Sequence, residues 1–139
     1  MFKRILLGFD GSEHAQRAAK IASQFAQMEK DAEVWLVVVV EPLPSGIGKP
    51  YFNQLIVEQT SLGNELIEIG KKAFGKDHPL QTELQFGSPA ESIIDMAKKH
   101  NCDLIIMGTR GLGGLRGLLL GSQIHKVISL AHCPVLSVK

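Results

Sequence analysis

Five short apolar runs are spread along the chain, and stretches of helical periodicity separate them. Ile5 to Phe9 is apolar and ends at Asp10-Gly11-Ser12, which predicts a buried strand, a turn and a helix cap. From Ala15 the spacing becomes helical: Ala15, Ala18, Ala19, Ala22 and Ala26 share one face of small side chains. Val34 to Val40 is apolar throughout and mostly β-branched, as in a strand buried on both faces. Glu41 to Pro50, with three prolines and two glycines, reads as a loop. A second helix is predicted over 52–74, with Leu55, Leu62, Leu66, Ile69 and Ala73 toward the core. Thr82 to Phe86 is a more polar strand. Ser88-Pro89-Ala90-Glu91 has the form of a capping box with proline at the first helical position, followed by Ile93, Ile94 and Ala97 on the core side. Asp103 to Met107 is a fourth strand. Ser122 opens a last helix with Ile124, Val127, Ile128 and Ala131 on one side, and Pro134 to Val138 is the fifth strand.

This alternation predicts an α/β fold: a doubly wound, mostly parallel five-stranded sheet with helices on both faces. The 139 residues fit a single domain over 1–139. With 45% hydrophobic and 21% charged residues, the composition is that of a soluble globular protein. A net charge of +1 gives no electrostatic footprint for nucleic acid or an anionic membrane. The longest apolar run is too short to cross a bilayer, and the apolar start breaks at Asp10, before a signal peptide would end. The expected location is therefore cytoplasmic. Cys102 and Cys133 lack metal-ligand or redox spacing and read as small buried hydrophobes.

Ligands of doubly wound sheets sit beyond the carboxyl ends of the strands, at the topological switch point. The turn at Asp10, the loop from Glu41 and the stretch from Gly108 to Ser122 are the segments expected there. That last stretch, GTRGLGGLRGLLLGS, holds six of the fourteen glycines. It is not a P-loop, because no lysine separates Gly121 from Ser122. It is not a dinucleotide fingerprint either, since Arg116 stands where the third glycine should be. What remains is Gly108, two residues, Gly111, nine residues, then Gly121-Ser122. Gly108 and Gly111 let the backbone bend around a ligand, and Gly121 and Ser122 present amides and a hydroxyl at the open end of a helix, which suits phosphate. A connector ending in an ordinary Gly-Ser cap explains the same residues, and the residues alone leave both readings open.

The motif G-x2-G-x9-G-[ST] at Gly108, Gly111, Gly121 and Ser122 resembles that of nucleotide-binding universal stress proteins. The likeness extends over KRILLGFDGSEHA, GSPAESI, CDLIIMGTRG and the closing CPVLSVK, essentially the whole chain. The resemblance implies strand order 3-2-1-4-5 and a site for ATP, with a divalent ion such as Mg2+ or Mn2+. It implies that Asp10 lies beside the nucleotide and that Val39 and Val40 approach the adenine through backbone groups. Met107, Gly108 and Gly111 would line the ribose and phosphates, and Gly121, Ser122 and Gln123 would hold the phosphates, Gln123 through its amide. Arg110 and Arg116 are the cations of the loop, either able to pair with phosphate oxygens. His14 and His125 show no partner cluster for metal or acid–base chemistry and read as surface or interface residues. The resemblance also implies an antiparallel homodimer through strand 134–138.

Three functions compete on this reading. The first is an ATP-binding regulatory protein of the stress response. The second is a slow ATPase or self-phosphorylating enzyme, disfavoured because no general base is evident and Asp103 falls at the wrong end of its strand. The third is a dimerisation module without nucleotide, which the intact motif opposes.

Overall fold

The computed structural model describes residues 1–40, 45, 46, 48–109 and 122–139. Strand β1 (Arg4–Gly8) lies at the centre of the sheet, and its side chains alternate between two apolar layers. Ile5, Leu7 and the following Phe9 face one layer and Leu6 the other. Each is buried to within 1% of complete, which stabilises the fold by about 1.5–3 kcal/mol per side chain. Strands β2 (Glu33–Val40), β3 (Gln81–Phe86), β4 (Leu104–Gly108) and β5 (Val135–Val138) complete the sheet in the order β3-β2-β1-β4-β5. Every neighbouring pair is parallel. Gly8 pairs with Val37 on one side and Met107 on the other, so β1, β2 and β4 end at similar heights.

Helices α1 (Glu13–Met28) and α2 (Lys49–Phe74) cover one face, where they pack with Val34, Leu36, Val38, Leu104 and Ile106. Helices α3 (Pro89–Lys99) and α4 (Ser122–Leu130) cover the other, over Trp35, Val37, Ile105 and Met107. The five-alanine face of α1 is buried as its spacing predicts. Its cap is also the expected one: Ser12 Oγ accepts from the Ala15 amide at 3.1 Å.

Helix α2 departs from expectation. It starts at Lys49, and its buried stripe is Gly63, Ile67, Gly70 and Phe74, while Leu62 and Ile69 are exposed and Leu66 and Ala73 flank the stripe. The helix lies so close to the sheet that a Cβ at Gly63 would fall 2.3 Å from Leu84 Cδ1, and one at Gly70 2.4 Å from Leu36 Cδ1. Backbone approach, not leucine burial, sets its orientation. Twenty-six residues span ~39 Å, against roughly 26 Å for the eight of β2, so the helix outruns the strands it crosses.

The start of α3 differs too. Ser88 makes no side-chain cap bond. Gln123 Oε1, from α4, accepts from the Ala90 amide at 3.1 Å instead, and Glu91 pairs with Lys126 at 2.8 Å. That pairing lowers the Glu91 carboxyl below its ordinary range. In α4, Ile128 is exposed, while Ile124 and Val127 are buried. No helix among the described residues is long and apolar enough to cross a membrane.

Candidate functional site

The strand order turns β1 into the hinge of a notch. Phe9 N donates to Val37 O at 3.0 Å, and the chain then leaves the sheet through Asp10, Gly11 and Ser12. Within a strand, the N–H and C=O of one residue point to the same side. Val37 faces β1, so Val39, two residues on, also presents its backbone to that side, beyond the point where β1 has turned away. On the other flank, Ile105 and Thr109 direct their amides to Pro134 and Val138 of the β5 side. Gly108 therefore faces β1, where the register gives its N–H to Gly8 O and leaves its C=O past the last residue of that strand. Two strand ends with polar backbone groups thus frame the Asp10 turn.

Asp10 Oδ1 accepts from the Ser12 amide at 3.0 Å, which fixes the carboxylate at the head of the notch. Among the described residues, Oδ2 has no hydrogen-bond partner, and a carboxylate oxygen so placed suits a ligand hydroxyl or amino group. Val39 is half-buried and Val40 buried. Val40 O already accepts from Gly87 N at 3.0 Å, so Val39 has the backbone groups turned toward the notch. The Met107 side chain is 1% exposed in the α3–α4 layer, leaving its main chain as what it can offer. Ser122 is exposed as the first residue of α4. The Gln123 side chain is engaged with α3, so its amide is what remains for a ligand. Arg110, Gly111, Arg116 and Gly121 lie outside the described residues.

Gly108 has a role that its spacing did not disclose. A Cβ there would sit 2.7 Å from His14 Cβ and 2.8 Å from both Ala15 N and His14 C. The first turn of α1 packs directly on the end of β4, and backbone atoms cannot yield as a flexible side chain can. Gly108→Ala is expected to destabilise the ligand-free protein by about 2 kcal/mol, as overpacked cores do. Urea unfolding measures this, and an unchanged midpoint and slope would disprove the contact.

His14, read from the sequence as a surface or interface residue, has a partner inside the fold. It is half-buried, with Nδ1 2.7 Å from Thr109 Oγ1. No sequence signal joins two residues 95 apart; only the β1–β4 pairing brings them together. His78 and His100 also have structural partners. His78 Nε2 donates to Ala32 O at 2.6 Å, while His100 stacks on Trp35 and meets Glu83 Oε1 at 2.6 Å. Asp103 is at the opposite end of the sheet from the notch, where it accepts from the amides of Lys3 and Arg4 at 2.9 and 3.1 Å. Cys102, beside it, is buried, which pushes its thiol up to about 12 and keeps it inert. A groove of about 740 Å³ runs along the C-terminal end of α2, lined by Lys71, Lys72, Lys76 and His78 among others. It lies at the amino ends of the strands, away from the switch point, so we place the candidate site at the notch.

A sequence profile of the Universal stress protein family matches residues 1–139. The chain belongs to the universal stress protein family. It is 41% identical over 139 residues to the universal stress protein in the QAH/OAS sulfhydrylase 3′ region of Thermus aquaticus, with 100% of both chains covered. Among solved structures, universal stress protein UspA from Lactobacillus plantarum superposes with a TM-score of 0.84 at 26% identity, covering 99% of this chain and 97% of that one. The universal stress protein from Archaeoglobus fulgidus in complex with dAMP gives a TM-score of 0.63 at 22% identity, covering 100% and 98%; at that identity the likeness is one of fold. Family membership agrees with the strand order of this universal stress protein.

Proposed function

We propose that this universal stress protein binds an adenine nucleotide in the notch, with ATP and a divalent ion such as Mg2+ or Mn2+ as the working ligand, and acts as a nucleotide-dependent regulatory binding protein. The observation that carries this reading is the pair of strand ends, where the Val39 N–H and C=O and the Gly108 C=O face the gap that β1 leaves at Asp10. Backbone donors and acceptors at a strand end suit the edge of a base, and the Asp10 carboxylate suits a ribose hydroxyl. The head of α4 at Ser122, as the positive end of a helix dipole, suits phosphate. Gly111 and Gly121 complete the phosphate cradle in this proposal, with Gln123 contributing its amide and Arg110 or Arg116 a cation. That a protein of this fold was solved with dAMP supports an adenine nucleotide as the ligand class. A bound divalent ion would neutralise phosphate charge. Mass spectrometry of the gently purified protein tests the reading: a co-purifying adenine nucleotide supports it, and failure to retain or rebind any adenine nucleotide rejects it.

Binding, and not turnover, is the function the residues favour. Phosphoryl transfer requires charge neutralisation and an oriented nucleophile. Asp10 already uses Oδ1 to hold Ser12, and the His14 Nδ1 is engaged with Thr109. Hydrolysis of ATP with Mg2+ is expected on the order of 0.01 per second or slower, at or below the rate of nucleotide hydrolases whose arginine is supplied in cis. Single-turnover measurement with labelled ATP checks this, and many turnovers per second would replace the regulatory reading with an enzymatic one.

A further inference from the structure

The groove at the C-terminal end of α2 contains a ring nitrogen that the fold leaves unused. Helix α2 stops at Gly75, whose φ of 94° favours glycine and whose amide donates to Lys71 O at 3.0 Å. The chain then returns through 76–80 to enter β3, and the groove of about 740 Å³ is lined by this return and by the last turns of the helix. His78 lines it and is only 9% exposed. Its Nε2 lies 2.6 Å from Ala32 O; a carbonyl oxygen only accepts, so Nε2 carries the hydrogen. In the neutral ring Nδ1 is then an acceptor. Among the described residues no group donates to it. Nor is any buried side-chain nitrogen there without a partner, so Nδ1 is not sealed off but reaches the groove that its residue lines. Ile69 and Leu80 supply apolar wall. The carboxylate of the lining, Glu68, is paired with Lys71 at 3.3 Å, while Lys72 and Lys76 make no ion pair among the described residues. The negative end of the helix dipole accounts for Lys71 and Lys72 in the last turn. It accounts neither for Lys76, past the helix end, nor for the open imidazole nitrogen.

We infer that this groove is a second ligand site, for a small organic anion whose apolar ring system carries an N–H or O–H donor. Its volume falls within the range of about 300–1,000 Å³ typical of small-molecule sites. The ring lies against Ile69 and Leu80, the donor meets His78 Nδ1, and the anionic group faces Lys72 and Lys76. The bond to Ala32 O already holds the imidazole in place, so its acceptor is set before the ligand arrives. A ligand of the same shape without a donor would cover Nδ1 and leave it unpaired, which is the basis of selection. The lysines are exposed, so their attraction is modest and falls with added salt. The groove is at the amino ends of the strands, and the inference is independent of nucleotide binding in the notch.

Heteronuclear NMR of the full chain, titrated with indole-3-acetate at low salt and about pH 8, above the ordinary imidazole range, tests this. Saturable shifts are expected at the amides of Gly75, Lys76, His78 and Leu80, with those of Gly8 and Asp10 unmoved. Half-saturation is expected at about 1 mM or below for a ligand of this size. Benzothiophene-3-acetate, with sulfur in place of the N–H, is expected to bind about tenfold more weakly. Indole-3-acetamide, which lacks the charge, is expected to bind about threefold more weakly, and acetate to give no saturation. His78→Phe is expected to erase the difference between the two ring acids. Lys72→Glu combined with Lys76→Glu leaves His78 in place and is expected to weaken indole-3-acetate about tenfold. Thermal melts establish that the variants are folded; if His78→Phe is not, the ligand pair and the lysine variant still decide. Saturable shifts confined to the groove, with the indole acid preferred, support the inference. It is overturned by no saturable shift at these amides, by shifts centred on the notch, by equal binding of the two ring acids, or by undiminished binding to the lysine variant.

Discussion

ATP at about a hundred times its dissociation constant is expected to stabilise the protein by roughly 2.7 kcal/mol. For 139 residues this raises the thermal midpoint by about 9 °C, because the unfolding entropy scales with chain length. The shift should grow with the logarithm of ATP concentration, as mass action requires. Gly121→Val is expected to abolish it. Gly121 lies outside the described residues, so the prediction rests on its place in the G-x2-G-x9-G-S motif, immediately ahead of the exposed Ser122 at the head of α4. A β-branched side chain there would occupy the space proposed for phosphate and restrict a permissive backbone. The variant without ligand is expected to melt close to wild type. A Gly121→Val protein that folds and still shifts by the full amount would move the phosphate site elsewhere.

The notch was legible in the sequence to the extent that local patterns determine it. Apolar runs separated by helical stretches require a parallel sheet with crossovers, and a parallel sheet places the turn after β1 and the exit of β4 on one edge. The strand order that makes those two neighbours came from the resemblance, because periodicity does not rank strands. The features missed depend on distances across the fold. Leucine spacing on α2 pointed to Leu62 and Ile69, yet contact with Leu84, Leu36 and Phe9 is so close that Gly63 and Gly70 face the sheet. Hydrophobicity patterns weigh apolar side chains and cannot register an approach that excludes them. Ser88 had the residues of a capping box, but Gln123 supplies the acceptor from another helix. The His14–Thr109 bond and the packing of α1 on Gly108 have the same origin. Each residue alone reads as a turn or loop residue, and its role exists only once β1 and β4 pair.

The second large effect concerns assembly, where the outer strand β5 is expected to pair with its counterpart in a second copy. In the sheet order β5 has one hydrogen-bonded neighbour, β4, and its other edge is unpaired among the described residues. Edges of this kind are paired or blocked in stable proteins, and an antiparallel two-fold pairing closes the edge without further growth. Light scattering at micromolar concentration is expected to give twice the 15.2 kDa of one chain. The backbone pattern selects the disrupting variant. Pro134 O and Val138 O accept from Ile105 and Thr109, so residues 134, 136 and 138 face β4. Val135 and Ser137 direct their N–H and C=O outward. Ser137→Pro removes an outward donor at an edge position that tolerates proline within the monomer. In a two-fold interface each copy loses one donor and leaves one carbonyl unpaired, at about 1–3 kcal/mol each, which together correspond to roughly thirtyfold or more weaker association. Val138→Pro instead places proline against β4 and is expected to lower the stability of the monomer. A folded monomer from Ser137→Pro, beside a dimeric wild type, supports pairing through β5. A monomeric wild type, or a Ser137→Pro dimer of undiminished affinity, rejects it.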